Sequence, residues 1–540
     1  MKRLSMASLA LAALVSMSAA SRGAESPKYG GRLVLGISKD IVSLNPFYRT
    51  QSTDSFVREL MFQTLLDLDD RQQPIPALAE SWSLSKDEKT YLFNLRRGVK
   101  FHNGKELTAE DVKWSIEYAL DPQNQATGLT LLRTVHEVKA KDKYTVEIAL
   151  KQPQAAFLVQ VSAIQPFVVI PKDSIPSGKT NLAAFPPGTG PFVYKDYKVA
   201  RELILTRNKN YWQKGLPYID ELVLKPVIDD QVRFLSLRSR DLDMIERTPY
   251  AFVKKIIAGE MPGIQIAEAK YAGFRRLVFN TTQPPFNNLK VRHAVLHALD
   301  AREFLKGAYW GFGEPATVWG IPKTSPWFVK DLPEIKRDPA RVKSLLKEAG
   351  VGPELEIVIV ARTGEEEENQ ILQQQLTSAG IKTKVDYLEH ARYVNIRRDG
   401  QFQMVLSGAE PVVDPGDSYP FRFGCDEPKK GPKRILNYSA YCNEEFDRLV
   451  RDAGSIGDFK KRYELYAKAI RIIHQDLPEA PFVFTPRFFT FGQRVRGFEA
   501  GVSDNWTSTT GGLLKTGSPI KPTMNGVLQY WSAGVEVSTT

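Results

Sequence analysis

Apolar residues recur along this chain with two periods, and the period changes at recognisable turn residues. The densest patterning lies between residues 49 and 120. Phe56, Val57, Leu60, Met61 and Leu65 share one helical face, and the helix starts near Asp54, where Thr53 or Asp54 can cap the free amides. After Pro74 and Pro76 the period becomes two. Trp82 and Leu84, then Tyr91, Phe93 and Leu95, alternate with polar residues across the turn Ser85-Lys86-Asp87-Glu88-Lys89, which predicts a hairpin. Val99 and Phe101 lead into Asn103-Gly104, a two-residue turn in which both central residues are expected at positive φ. Thr108-Ala109-Glu110-Asp111 has the form of a capping box, with Asp where Glu is usual. It opens a helix through Val112, Trp114, Ser115 and Ala119.

The pattern predicts further elements on both sides of this block. Gly30 to Gly36 reads as a first strand. Tyr144, Val146, Ile148 and Leu150 alternate strictly, so one face of that strand is buried. Leu66 to Pro176 reads as one compact α+β unit. Gly188-Thr189-Gly190-Pro191-Phe192 predicts a tight turn that needs glycine for its backbone geometry. A strand over Tyr218 to Val227 precedes a helix over Gln231 to Ser239, with Phe234 and Leu235 facing inward. A helix over Val291 to Leu299 comes next. Strands over Leu355–Val360, Thr383–Leu388 and Phe402–Leu406 then alternate with helices over Glu365–Leu376 and Arg392–Arg398, which argues a mainly parallel α/β sheet. A last helix over Lys460 to His474 leads to Pro478 and Pro481.

Several of these segments also resemble a known family. LAESW (78–82), FNLRRGVKFHNGK (93–105), LTAEDVKWSIEYALDP (107–122) and GTGPF (188–192) followed by Asn208-Lys209-Asn210-Tyr211-Trp212 are similar to the periplasmic solute-binding proteins of family 5. These are the oligopeptide- and dipeptide-binding-like receptors of ABC importers. The resemblance implies an α/β clamshell of the class II type, with an extra α+β insert in the first lobe. It implies a first lobe over 27–65, 181–275 and 487–540, an insert over 66–180 and a second α/β lobe over 276–486. The stretch Phe274 to Thr282 would cross between the lobes and act as the hinge.

The N-terminus adds a location. Lys2 and Arg3, the apolar run Leu9 to Val15 and Ser18-Ala19-Ala20 form the tripartite pattern of a secretory signal peptide over residues 1–20. The apolar run is too short to span a bilayer, and no Cys follows it to carry a lipid anchor. The expected location is a bacterial periplasm. There, Cys425 and Cys442 read as one disulfide; a metal site or a thiol nucleophile is the alternative, with no His nearby in sequence. The formal net charge is +11 and the pI about 9.2. The basic residues are scattered and form no block, which argues against a nucleic-acid surface.

Candidate chemistry is sparse. His293 and His297 stand one helical turn apart, but Ala294 occupies the place of the Glu in a zinc-binding H-E-x-x-H motif. Ser177-Gly178-Lys179-Thr180 ends like a phosphate-binding loop, but Asp173 stands where its first Gly is required. Gly311-Phe312-Gly313-Glu314-Pro315-Ala316 lacks the third Gly of a dinucleotide fingerprint. No G-x-S-x-G elbow occurs. The expectation is therefore a binding protein and not an enzyme, without cofactor or metal.

Three segments are candidates to touch a solute. Tyr48-Arg49-Thr50-Gln51 follows the first strand, and its alternative role is to cap the next helix. Trp319 offers a flat face for stacking, or is plain packing. The loop Ser407 to Tyr419 ends a strand of an α/β lobe, where such folds place ligands. By the resemblance, this loop carries the acid that pairs with a peptide's amino terminus. The matching position falls near Glu410 or Pro411, so Glu410 is the candidate, with Asp414-Pro415 as the family's landmark. Asp414 and Asp417 can equally cap the turn. The resemblance further implies a small solute such as an oligopeptide or dipeptide, ABC transporter permease subunits as partners, and a monomer.

Overall fold

The structure is a computed structural model and describes residues 29–48, 52–69, 73–127, 132, 134–162, 164–175, 185–352, 354–426, 434–496 and 498. The expected signal peptide, Arg49-Thr50-Gln51, Ser177 to Thr180 and the tail after Phe498 lie outside the described residues.

One eleven-stranded sheet runs through both lobes. Its centre is a pair of long antiparallel strands, Ile264–Phe279 and Glu479–Gly492. Their register is interrupted between Ala269 and Gly273. Gly273 is needed there, because a Cβ would stand 2.5 Å from the Thr485 Oγ1 atom. On one side of the interruption, Arg32–Ile37 pairs in parallel with Glu221–Pro226 and with Met244–Ile245, and the latter joins the second crossing strand. On the other side, Glu356–Arg362 pairs in parallel with Lys382–Leu388 and Met404–Ala409, and Met404–Ala409 joins the first crossing strand. Each lobe buries its own apolar cluster: Leu33, Leu35, Phe47 and Phe56 in one, Leu277, Ile357, Ile359 and Leu372 in the other. The α/β clamshell expected from the sequence is present, with a second sheet attached to the first lobe.

That second sheet has four strands in the order Ala79–Leu84, Thr90–Leu95, Thr145–Leu150, Val135–Asp142. The two inner strands alternate as their sequences require: Tyr91, Phe93, Leu95, Val146, Ile148 and Leu150 are all buried. Helix Ala109–Leu120 packs on this face. Its Asp111 accepts from the Thr108 N–H at 2.9 Å, as in a capping box, and from the Thr108 hydroxyl. The same carboxylate holds Lys105 Nζ at 2.6 Å and the Lys172 N–H at 2.9 Å. One buried acid thus ties the helix start to the hairpin and to the chain leaving the insert.

Three local expectations change. At Asn103-Gly104 only Gly104 takes positive φ (85°). Gly104 N–H bonds to the Phe101 carbonyl, and Phe101 N–H to the Lys105 carbonyl. The loop is therefore one residue longer than a two-residue turn, ending in a left-handed glycine. At Gly188-Thr189-Gly190 glycine is required by close approach: a Cβ on Gly188 would lie 1.8 Å from the Met61 carbonyl oxygen. In the helix Asp230–Arg238, Phe234 is buried but Leu235 is 54% exposed. Adjacent helical residues point about 100° apart, so the inward partner of Phe234 is Leu237, three positions on.

Candidate functional site

The lobes meet beside the crossing strands. Tyr250 opens a first-lobe helix, Tyr250–Ile257, and its hydroxyl donates to the Pro486 carbonyl at 2.8 Å. Its ring stands 5.3 Å from Tyr309 and 6.0 Å from Phe312, both from the second lobe. Tyr309 in turn meets Arg275 Nε at 3.1 Å, and Arg275 pairs with Glu368 at 2.6 Å and Glu365 at 3.7 Å. Glu365 also holds Arg362 at 2.6 Å. Arg362 is the last residue of the strand Glu356–Arg362, at the carboxyl end where α/β lobes place ligands.

The first lobe faces this group with the carboxyl end of its own first strand. Ser38 donates from its N–H and its hydroxyl to Glu246 Oε1, both at 2.8 Å. This fixes Lys39 next to Arg247. Burial opposes the Glu246 charge, but Arg247, Arg487 and the Ser38 bonds hold its pKa below the usual carboxylate range. Lys39 makes no hydrogen bond or ion pair among the described residues. Burial lowers its pKa first, then the nearby charges of Arg247 and of Arg362 across the gap. Lys39 and Arg362, past or at one strand end of each lobe, thus lie near enough for their charges to act on each other, where Tyr250 of the first lobe meets Tyr309 and Phe312 of the second. Such a site can hold a polar solute by ion pairs and hydrogen bonds.

The sequence candidates fall elsewhere in part. Tyr48 is 3% exposed, and its hydroxyl donates to the Asn124 carbonyl at 2.7 Å, inside the first-lobe core. Trp319 is buried in the second lobe. Its Nε1 donates to Glu479 at 2.9 Å, and the edges of Phe274, Tyr419 and Phe423 and the guanidiniums of Arg276 and Arg422 surround its ring. Asp414 caps the helix Pro415–Phe423 through the Gly416 N–H and pairs with Arg462. Glu410 is exposed just past the strand Met404–Ala409. Cys425 and Cys442 form a disulfide within the second lobe. His293 and His297 ring nitrogens face the carbonyls of Gln475 and Lys336 at 3.1 and 2.9 Å. A cavity of about 40 Å³ beside His474 lies within the second lobe, apart from the interlobe gap.

Sequence reasoning missed Lys39, Arg247, Tyr250, Tyr309 and Arg362. The carboxyl-end rule, applied to the strand end at Arg362 as it was to the loop after Leu406, would have found one of them.

Two α/β lobes joined by paired crossing strands, with charged groups converging on the gap, define a solute-binding clamshell. Residues 73–430 match the family described as bacterial extracellular solute-binding proteins, family 5 (middle), and the chain belongs to that family. It is 30% identical to di/tripeptide-binding protein 2 of Pseudomonas aeruginosa, over 78% of this chain and 84% of that protein. The same fold occurs in DppA of Helicobacter pylori in complex with the peptide STSA, with a TM-score of 0.77, 24% identity, and coverage of 94% and 99% of the two chains. It also occurs in AgaA of A. tumefaciens in complex with agropinic acid, with a TM-score of 0.79, 23% identity, and the same coverage.

Proposed function

We propose that this chain is the periplasmic receptor of an ABC importer, capturing a peptide or similar small polar solute between its lobes and delivering it to the membrane permease subunits. The observation that carries this reading is the two-lobed fold joined by the crossing strands Ile264–Phe279 and Glu479–Gly492, in a chain of the family-5 solute-binding proteins. The interrupted register of the crossing strands supports a hinge beside it. Closure shifts with solute only if solute makes contacts in the closed form that the open form lacks, and groups divided between lobes supply them. The similarity to a di/tripeptide-binding protein favours a peptide. Export by residues 1–20 and Glu410 as a rim contact belong to the same proposal. A non-peptide solute in the same gap is the second reading, favoured by Pro411 standing beside Glu410 where a peptide's amino group would need an acid.

The test is thermal unfolding of the solute-stripped chain with di- and tripeptides. A rise in Tm without chemical turnover supports capture. Turnover of the added compound that survives purification would overturn it. Equal affinity of wild type and Glu410→Gln for a basic peptide would remove Glu410 from the site.

A further inference from the structure

The insert touches the second lobe directly. The Ala155 N–H donates to the Gly454 carbonyl at 2.9 Å. Gly416, in the first turn of the helix Pro415–Phe423, comes so close that a Cβ there would stand 3.3 Å from the Ala156 Cβ. A Cβ on Gly457 would stand 3.3 Å from a carboxylate oxygen of Glu88, in the insert's hairpin turn. The covalent links between the lobes are the crossing strands Ile264–Phe279 and Glu479–Gly492. The contact with the insert is therefore a second, non-covalent bridge, which opening about those strands would break.

In this bridge two carboxylates share one cation. Arg462 reaches both oxygens of Asp414 at 2.8 Å. Asp417, three positions on in the same helix, pairs with no cation among the described residues. Gln160 of the insert faces it. The Gln160 oxygen already accepts from Gln154 Nε2 at 2.6 Å, which leaves its amide nitrogen for Asp417. An amide can hydrogen-bond a carboxyl but cannot neutralise it. Two buried negative charges beside one guanidinium leave one uncompensated, and a proton removes it.

We propose that the insert and the second lobe form a proton-dependent latch, in which Asp417 is held neutral against Gln160 while Ala155 bonds Gly454, so that closing the lobes takes up one proton. The inference rests on the receptor reading above and adds a control on its closure. The charged and titratable groups facing Asp417 are Asp414 at the start of its own helix and Arg462 and Tyr466 of the helix Phe459–Asp476. Behind them, Tyr91 and Glu88 of the insert act on the same place, Tyr91 through Arg462. Burial, then the Asp414 charge, raises the Asp417 pKa to about 8, and Arg462 opposes the rise. Loss of that cation would therefore not release the proton. In the parted lobes water reaches Asp417, and its pKa returns toward the ordinary aspartate value. The closed form is then favoured fully below that ordinary value, and the advantage is lost as pH rises to about 8. Solute held between closed lobes shares in it, so proton uptake and solute capture strengthen each other.

The experiment uses the solute-stripped full chain as wild type, Asp417→Asn and Gly457→Asp, at about pH 5 and about pH 7. The first readout is hydrogen exchange of the Ala155 amide without solute, corrected for the intrinsic rate. The second is affinity for trialanine, whose charges change little over this range. In wild type both protection and affinity should fall by roughly 10-fold between the two pH values, against at most about 100-fold for one proton over two pH units. Asp417→Asn is neutral throughout and should keep the acid level of both. Gly457→Asp is an exposed change that sets a like charge against Glu88 and leaves Asp417 intact. It should lower protection and affinity together by about 2- to 5-fold. PH-dependent protection that Asp417→Asn abolishes supports the latch even where trialanine does not bind, a result that counts against the peptide reading alone. Protection that ignores pH, or that falls equally in Asp417→Asn, overturns the latch whatever trialanine does. Trialanine affinity that is independent of pH and of both substitutions overturns its link to capture and leaves the peptide reading standing.

Discussion

The Arg462 guanidinium reaches both oxygens of the Asp414 carboxylate at 2.8 Å, and both side chains are more than nine-tenths buried. The pair ties the helix Phe459–Asp476 to the start of the helix Pro415–Phe423. Breaking it strands a buried charge, which costs about 3 kcal/mol. Arg462→Met should lower the stability of the second lobe by that amount in denaturant unfolding and leave solute affinity within about twofold. A large loss of affinity with unchanged stability would instead return Asp414 to the solute site.

Trp319 belongs to a second buried pair. Its Nε1 and Arg276 Nε both donate to Glu479 Oε2, at 2.9 and 2.6 Å. Trp319→Phe removes one donor and should destabilise by roughly 1–3 kcal/mol. If Trp319 packs as the structure shows, solute binding leaves its fluorescence nearly unchanged in a Trp319→Phe difference spectrum.

The disulfide closes a loop with a sequence separation of 17. In the chain-entropy picture such a closure stabilises by roughly 3 kcal/mol. The double variant Cys425→Ser with Cys442→Ser should show that loss in calorimetry, without a change in solute affinity.

A pH dependence is expected where the insert meets the second lobe. The Ala155 N–H bonds to the Gly454 carbonyl across this contact at 2.9 Å. Asp417 lies in the same contact. Burial, then the neighbouring Asp414 charge, pushes its pKa up to about 8, while Gln160 and Arg462 oppose the rise. Tyr466 also faces this group. The folded contact thus holds a proton that the separated state releases near the usual aspartate value. Its stability is full at low pH and is lost as pH rises toward about 8, with no further loss from this group above it. Tm measured from about pH 5 to about pH 9 should fall along this slope, and Asp417→Asn should flatten it.

Much of this architecture was legible in residue spacing. The alternation at Tyr91–Leu95 and Tyr144–Leu150 gave the inner strands of the insert, because one face of each had to be apolar. The strand and helix succession from Leu355 to Leu406 gave the parallel part of the second lobe. Leu235 was misplaced because an apolar residue beside Phe234 looks inward until the helix phase is fixed by Leu237. The gap was harder to see. Lys39, Arg247 and Arg362 each lie more than a hundred residues apart along the chain, and each alone is an ordinary surface cation. Lys39 and Arg362 come near each other only because strand ends from different lobes meet in the fold. Trp319 and Asp414 attracted attention as distinctive residues, yet their partners Glu479 and Arg462 lie far along the chain and commit them to packing.

The central claim is capture of a small polar solute between the lobes. Its most direct test is mass spectrometry of the solute released on denaturing the chain after incubation with an extract of its source bacterium. About one molar equivalent of a single class of small solute, released unchanged, is the predicted result. Release of no solute above the level of a denatured control, or release of a chemically converted product, would contradict the account.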